Sequence, residues 1–373
     1  MAIAGGNITL DSTEGMDKIS QTDKVTSPYF SNGATTLAAA NIVSSSLTAT
    51  NQKYFFGISH NSTPTTEEFN VAFGSTRGFG SDDDGDNIKA PTTAIYNQFA
   101  SILLAPTEVT GGFFISRNNS LDSAPSSATV TSGKDTEIYV LAATRTNMKD
   151  RINKGTWTII LSGSVSAGTV AQPLHLTDDS VNDSPTATPV GDRYNIVSGS
   201  DGTTATSQGA SVRTFGFFYP DMGIMVFSAA ELSASIQGTA ANIAEEVVFD
   251  NANHQGLGFS NDVDNNENTA LRFINCLQPN GAKLTFRDEE DQVSAQYFCR
   301  ARSGQMNFSN NPTFVSGSLN ELRQSTMKGN PTTFVSSVQL YNSAGEMVAV
   351  GNLSTPLKKN FSSEATIKVK LTY

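Results

Sequence analysis

Charge is scarce in this 373-residue chain: only 16% of its residues are Asp, Glu, Lys or Arg, where a soluble domain averages about 25%. The shortfall argues against long charge-stabilised helices. Ser, Thr, Asn and 30 glycines fill it, and these residues suit turns and β surfaces. The 24 Lys and Arg against 35 Asp and Glu leave a formal net charge of −11. That sign repels a phosphate backbone and disfavours direct nucleic-acid binding unless the basic groups cluster. They do not: Arg300 and Arg302, with Arg287 nearby, form the densest group, and Asp288, Glu289, Glu290 and Asp291 lie among them.

Other shortages exclude whole classes of chemistry. The three histidines, His60, His175 and His254, are far apart, with no HExxH or similar metal spacing. Cys276 and Cys299 are the only cysteines. Both sit in apolar runs, which favours two buried free thiols, although their spacing also allows a disulfide between adjacent strands. There is no GxSxG elbow, no GxxxxGK[ST] loop and no GxGxxG after a strand. AFGSTRGFGS is glycine-rich but lacks the Lys-Ser/Thr pair that would hold a phosphate. No apolar run is long enough to span a membrane, so no membrane insertion is expected. MAIAGGNITLDSTEG has neither the basic nor the hydrophobic region of a signal peptide, which points to synthesis in a cytosol. The expectation is a protein that is not an enzyme, with no catalytic residues, no cofactor and no metal.

Acidic clusters are a separate case, because a glycosidase requires only two carboxylates placed by the fold. Asp82–Asp86, Asp178–Asp179 and Asp288–Asp291 all read as solvated turns. SDDDGDN has the alternating Asp82, Asp84 and Asp86 of a calcium loop. Asn87 occupies the turn-glycine position, however, and Thr93 the position of the bidentate Glu.

What the chain does contain is β patterning. Residues 1–30 read as an extended N-terminal arm, and 31–110 as a β-rich domain packing with the C-terminal part. In that domain EEFNVAFGS places Phe69, Val71 and Phe73 on one face. APTTAIYNQFASILLAPT is the clearest helix, near 92–104, with a stripe of Ile95, Phe99, Ile102 and Leu103 and a stop at Pro106. Residues 111–210 read as a variable β/loop-rich domain. GGFFISRNN, DTEIYVLAATR and KGTWTIILSGS are its strands, and 163–211 is mostly exposed loop, broken only by PLHL and DRYNIVSG. Trp157, Tyr194 and Tyr219 are better suited to packing than to stacking on sugars.

The last domain, 211–373, carries the strongest patterns. RTFGFFYPDMGIMVFSAAEL reads as two strands around a Pro-Asp turn, with Ser228 and Glu231 spaced as in a capping box. FRDEED reads as a tight acidic turn before the strand QVSAQYFCRA. Asn307–Phe314 reads as a stiff polar connector in which Asn side chains, Asn310 and Asn311 among them, bond local backbone around Pro312. TTFVSSVQLYNSAGEMVAVGNLS follows as a strand, a turn at Asn342–Gly345 and a strand, which TPLKKN then interrupts. TIKVKLTY sets Ile367, Val369 and Leu371 against Lys368 and Lys370, predicting one buried and one exposed face. Phe298, Phe308, Phe314, Val338, Leu340, Val348, Val350, Ile367, Val369 and Leu371 are the expected core of this part. The fold class expected is mainly β, a multi-domain β-sandwich-like architecture with a few short helices.

YFCRARSGQMNFSNNPTFVSGS and NPTTFVSSVQLYNSAGEMVAVGNLSTPLKKNFSSEATIKVKLTY together resemble a family of tail- or baseplate-associated structural proteins of marine T4-like cyanophages and related contractile-tailed bacteriophages. FGFFYPDMGIMVFSA resembles a segment of the same family, and FNVAFGSTRGFGSDDDGDNIKAPTTAIYNQFASIL supports the likeness more weakly. The resemblance covers about half of the chain and leaves roughly 111–210 outside it. It implies a late, non-catalytic structural component of a virion, assembled in the host cytoplasm and placed in the tail or baseplate. Its partners would be other virion proteins and copies of itself in a symmetric homo-oligomer. Two alternatives stay open: an adhesin or fibre tip binding a host-surface glycan through 111–210, and a neck, collar or head-decoration protein.

Overall fold

The computed structural model describes residues 17–44, 54–76, 80, 91–109, 111–115, 135–161, 173–205, 214–229, 231–232, 236, 270, 273–274, 276–277, 282–317 and 321–372. The SDDDGDN segment lies outside them. The fold is mainly β, and the chain divides into two compact units: Val25–Glu290, and a second made of Met1–Lys24 with Asp291–Tyr373. Two strands, β1 (Lys18–Pro28) and β16 (Arg287–Ala301), run through the boundary.

The larger unit begins with β2 (Thr36–Ala38), a single 3-10 turn (Ala39–Asn41), β3 (Ile42–Ser44), β4 (Phe56–His60) and β5 (Thr63–Ser75). The helices α1 (Thr92–Leu103) and α2 (Pro106–Val109) follow, then β6 (Glu137–Ala143), β7 (Arg151–Ile152), β8 (Thr158–Leu161) and β9 (Leu174–Asp178). Next come β10 (Thr186–Thr188), β11 (Gly191–Ser200), β12 (Thr203–Thr204), β13 (Thr214–Tyr219), β14 (Ile224–Ser228) and β15 (Lys283–Thr285). One sheet takes the order β2-β15-β8-β9-β11-β13-β14-β6-β5-β4-β3, with β10 and β12 attached to β11.

The first and last strands of that path are β2 and β3, and only Ala39–Asn41 separate them in sequence. A flat sheet of that order would hold them about 48 Å apart at ~4.8 Å per strand. The connecting residues reach only about 3.5 Å each. The sheet therefore curls until its ends meet, and it encloses one large apolar core. Trp157 sits in that core, stacked on Phe286 at 5.7 Å and edge-on to Phe218 at 5.3 Å.

Part of the rolled wall is apolar on both faces. Phe69, Val71 and Phe73 on β5, as the alternation predicted, face the enclosed core with Tyr139 and Leu141 of β6. Ala72, Ile138, Val140 and Val226 face the other way and pack with α1 through Ile95, Tyr96, Ala100 and Leu103. Phe99 is only partly buried and Ile102 is 39% exposed, so the buried line of α1 runs through Tyr96 and Ala100 instead of Ile102. The helix ends at Leu104, whose backbone is extended, and Pro106 opens α2. The β13–β14 hairpin matches the sequence reading, with Gly223 at φ 65° closing the Pro-Asp turn. Ser228 Oγ accepts from the Glu231 N–H at 3.3 Å, the forward half of the expected capping box.

Several expectations for this unit need correction. Of GGFFISRNN, residues 111–115 are not a strand: Phe113 and Ile115 insert as irregular chain into the helix-side core. Tyr96 Oη accepts the Phe113 N–H at 3.0 Å, and Asp135 accepts the Ile115 N–H at 2.9 Å, replacing ladder partners. PLHL and DRYNIVSG, read as interruptions of an exposed loop region, lie within or largely form β9 and β11, both inside the main sheet. FRDEED is no turn, because β16 runs straight through it. Asp288 is buried and accepts from Ser27 Oγ at 2.5 Å. Glu289 is buried against Asn153 Nδ2 at 2.6 Å and Arg151 at 3.0 Å.

Asp178 and Asp179 are likewise buried, not solvated. The Gly155 N–H donates to Asp178, and Asn195 donates to Asp179 through its backbone N–H at 2.9 Å and through Nδ2 at 2.8 Å. Burial raises both carboxyls above the usual range, Asp179 to about 6, against the opposing pull of those hydrogen bonds. His60, at the end of β4, is 8% exposed and meets Ser62 at its Nδ1.

Candidate functional site

The second unit contributes a different kind of surface. Its elements are the part of β1 up to Lys24, the part of β16 from Asp291, β17 (Val315–Ser316), β18 (Glu321–Leu322), β19 (Thr333–Tyr341), β20 (Met347–Lys359) and β21 (Ala365–Thr372). β16 pairs antiparallel with β21 from Ser294 opposite Thr372 to Ala301 opposite Ala365. On β21 the alternation holds, with Ile367, Val369 and Leu371 half-buried and Lys368 and Lys370 exposed. Phe298 is half-buried, and the ammonium of Lys368, its partner across the ladder, lies 5.8 Å from the Phe298 ring centroid.

Asn307–Phe314 is irregular chain that closes in a turn at Pro312–Phe314. Asn311 Oδ1 accepts from the Thr313 N–H and the Thr313 hydroxyl, both at 3.0 Å. The Asn311 carbonyl takes the Phe314 N–H at 2.8 Å and the Val315 N–H at 3.1 Å. Asn310 and Pro312 are exposed. Phe314 is half-buried and meets the exposed Phe308 edge-on at 5.6 Å. Asn307 itself is buried. Its Nδ2 donates to the Ser303 carbonyl at 2.6 Å, and its Oδ1 accepts from Lys359 Nζ at 2.8 Å.

That lysine corrects the reading of TPLKKN as an interruption, because β20 continues through it to Lys359. Lys359 is fully buried, and its ammonium also donates to the carbonyls of Ser303 at 3.1 Å and Asn360 at 3.0 Å. Three N–H bonds meet three acceptors, which offsets the cost of taking the charge out of water.

The expected apolar core of this unit is not one. Among the described residues its buried hydrophobic side chains are Ala295, Ala301, Val315 and Ala365. The large apolar groups are outside: Phe334 is 62% exposed, Val348 61%, Val350 58%, Met347 56% and Tyr341 54%. Val338 and Leu340 are half-buried.

The register explains the arrangement. Gln339 faces Val350 and Tyr341 faces Met347, while Val338 faces Gly351 and Leu340 faces Ala349. The register shift at Leu340/Tyr341 leaves Val348 as an extra residue on β20. A strand reading Met-Val-Ala-Val carries apolar groups on both faces. Among the described residues no third strand joins this two-stranded sheet, and Tyr341, Met347, Val348 and Val350 stay more than half exposed. The Met-Val-Ala-Val run is the sequence signal for a second apolar face, but its exposure follows only from the sheet's having two strands. The burial of Lys359 left no such signal.

Neither Cys276 nor Cys299 is in a disulfide. Cys276 is buried, while Cys299 is only half-buried, which corrects its expected burial. Trp157, Tyr194 and Tyr219, the aromatics considered for glycan stacking, are buried in the larger unit. Among the described residues no group of three His, Cys, Asp or Glu could hold a metal ion, and no helix is long and apolar enough to cross a membrane. No family model, curated protein or solved structure matches the chain.

Proposed function

We propose that the protein is a non-catalytic structural component of a phage virion, carried in the tail or baseplate, and that the β19–β20 hairpin is its attachment element. One observation carries this reading: the second unit buries alanines and a valine while displaying Phe334, Tyr341, Met347, Val348 and Val350. An isolated two-stranded hairpin is marginal in water, and large exposed apolar patches mark interaction surfaces. A subunit made soluble and then built into a larger object would cover that surface on assembly. The resemblance of the same C-terminal residues to contractile-tail structural proteins supplies the setting.

The glycan-binding alternative draws no support from the aromatic groups named for it, since all three are packed inside the larger unit. The test is a cryo-EM map of intact contractile-tailed particles that contain the chain. Density for the hairpin buried between subunits around a ring is the expected result. A chain placed at a distal tip, with the hairpin in solvent, would refute the proposal.

A further inference from the structure

We infer that β19 is a self-pairing edge, through which two copies of this chain join antiparallel about a two-fold axis at Ser337. This rests on reading the hairpin as an assembly element and adds the partner and the register. Among the described residues β19 pairs only with β20, and none of them adds a strand along its other edge.

Natural edges are blunted by charge, proline or bulges, and the two strands of this hairpin differ in that respect. β20 carries Pro356, Lys358 and Lys359, and its register jumps from Leu357 to Asn352. β19, TFVSSVQLY, has neither a charge nor a proline over nine residues. A second β19 would therefore meet it without like-charge repulsion or a missing backbone donor.

Symmetry narrows the register. A two-fold axis normal to the sheet keeps each side chain on its own face, so one residue must stand opposite itself. Of the positions in Thr333–Tyr341, only Ser337 at that axis pairs all nine residues. Phe334 then faces Leu340 of the second copy, Ser336 faces Val338, Val335 faces Gln339 and Thr333 faces Tyr341. The exposed Phe334 ring gains an aliphatic partner across the strands, the kind of pair that stabilises sheets. The product is a continuous four-stranded sheet, β20-β19-β19-β20, with the protected β20 strands outermost. Main-chain hydrogen bonds would supply affinity, as in other strand additions.

The experiment uses the full chain with Cys299→Ser, so that a half-buried native thiol does not interfere. Ser337→Cys would set two thiols directly opposite one another. Opposed Cα atoms in an antiparallel pair lie about 4.5–5.5 Å apart, within the range a disulfide spans. Under mild oxidation this variant should form a disulfide-linked dimer at about tenfold the rate of Ser354→Cys, an exposed control on β20, because pairing raises the effective thiol concentration.

Ser337→Lys should shift the sedimentation equilibrium towards monomer, since like charges would then face each other at the axis. Ser337 is exposed in the single chain, and an unchanged circular dichroism spectrum and melting temperature would show that the variant folds. A chain that stays monomeric, with no excess of Ser337→Cys dimer over the control, overturns the inference, whether another virion protein or the chain's own residues 1–16 take the edge. If that happens while particles still hold the hairpin between unlike subunits, the structural reading survives and self-pairing fails. A specific Ser337→Cys dimer from a chain that sits at a distal tip would leave the pairing standing and sink the structural reading.

Discussion

Lys359 and Asn307 meet at 2.8 Å, ammonium to side-chain oxygen, with both side chains buried and 51 residues of intervening chain. The contact ties the end of β20 to the connector that precedes the hairpin, and the Ser303 carbonyl joins it from the turn after β16. Lys359→Met keeps much of the side-chain volume but removes all three donors. Leaving buried acceptors unpaired costs about 1–3 kcal/mol. The expected outcome is a lower urea midpoint, with faster protease cleavage around residues 303–307.

Gly216 stands where two strands approach too closely for any side chain. A Cβ there would lie 2.2 Å from the Val226 carbonyl oxygen and 3.1 Å from the Phe227 Cα, both backbone atoms of β14. Neither can swing aside as a flexible side-chain tip would. Gly216→Ala should destabilise the larger unit by about 2–4 kcal/mol through forced displacement of the ladder. Chemical denaturation would measure it, and a change below ~0.5 kcal/mol would show that the β13–β14 pairing is described wrongly.

The Asp179 carboxyl, raised to about 6 by burial, gives the larger unit a defined pH response. Between the unfolded value of about 4 and the folded value, the native state holds a proton that the unfolded chain has lost. Stability from this group is thus complete below pH ~4 and lost as pH rises to about 6, a total of roughly 2–3 kcal/mol. Asp178 adds to the same direction. Asp179→Asn cannot titrate, so the wild-type-minus-variant difference in unfolding free energy should fall between pH 4 and 6.5. A flat difference would remove burial as the cause.

How far these features could be read from sequence depends on how local their causes are. Gly223 after Pro220-Asp221, the helix starting after Pro91 and the alternation of Ile367, Val369 and Leu371 are set by neighbouring residues, and each appears where the pattern placed it. Residues 287–291 form a strand because Asn153, Arg151 and Ser27 neutralise or hydrogen-bond Asp288 and Glu289 from more than a hundred residues away. No window over FRDEED contains those partners. The curling of the sheet is similar: each strand is local, but the meeting of β2 and β3 follows only from the complete strand order. In the candidate site, the hairpin and its turn were legible. The exposure of Val348 and Val350 was not, because apolar residues in a strand suggest a core unless the sheet is known to stop at two strands.

If the proposed role holds, that exposure separates the stability of the chain from its assembly. Val350, Tyr341 and Met347 share one face of the hairpin through the pairs Gln339–Val350 and Tyr341–Met347, and each is more than half exposed. Side chains this open contribute little to the fold of the single chain, so replacing them should change its unfolding free energy by no more than about 0.5 kcal/mol each. In an assembled object the same groups would be desolvated, where burying a large apolar side chain contributes about 1.5–3 kcal/mol. Tyr341→Ser, Met347→Ser and Val350→Ser combined should therefore leave the melting temperature of the isolated protein nearly unchanged and block its incorporation into particles, read by quantitative mass spectrometry of purified virions. The combination discriminates because a merely structural role within the chain moves both readouts together. Full incorporation of a well-folded triple variant would show that this face is not where the protein attaches.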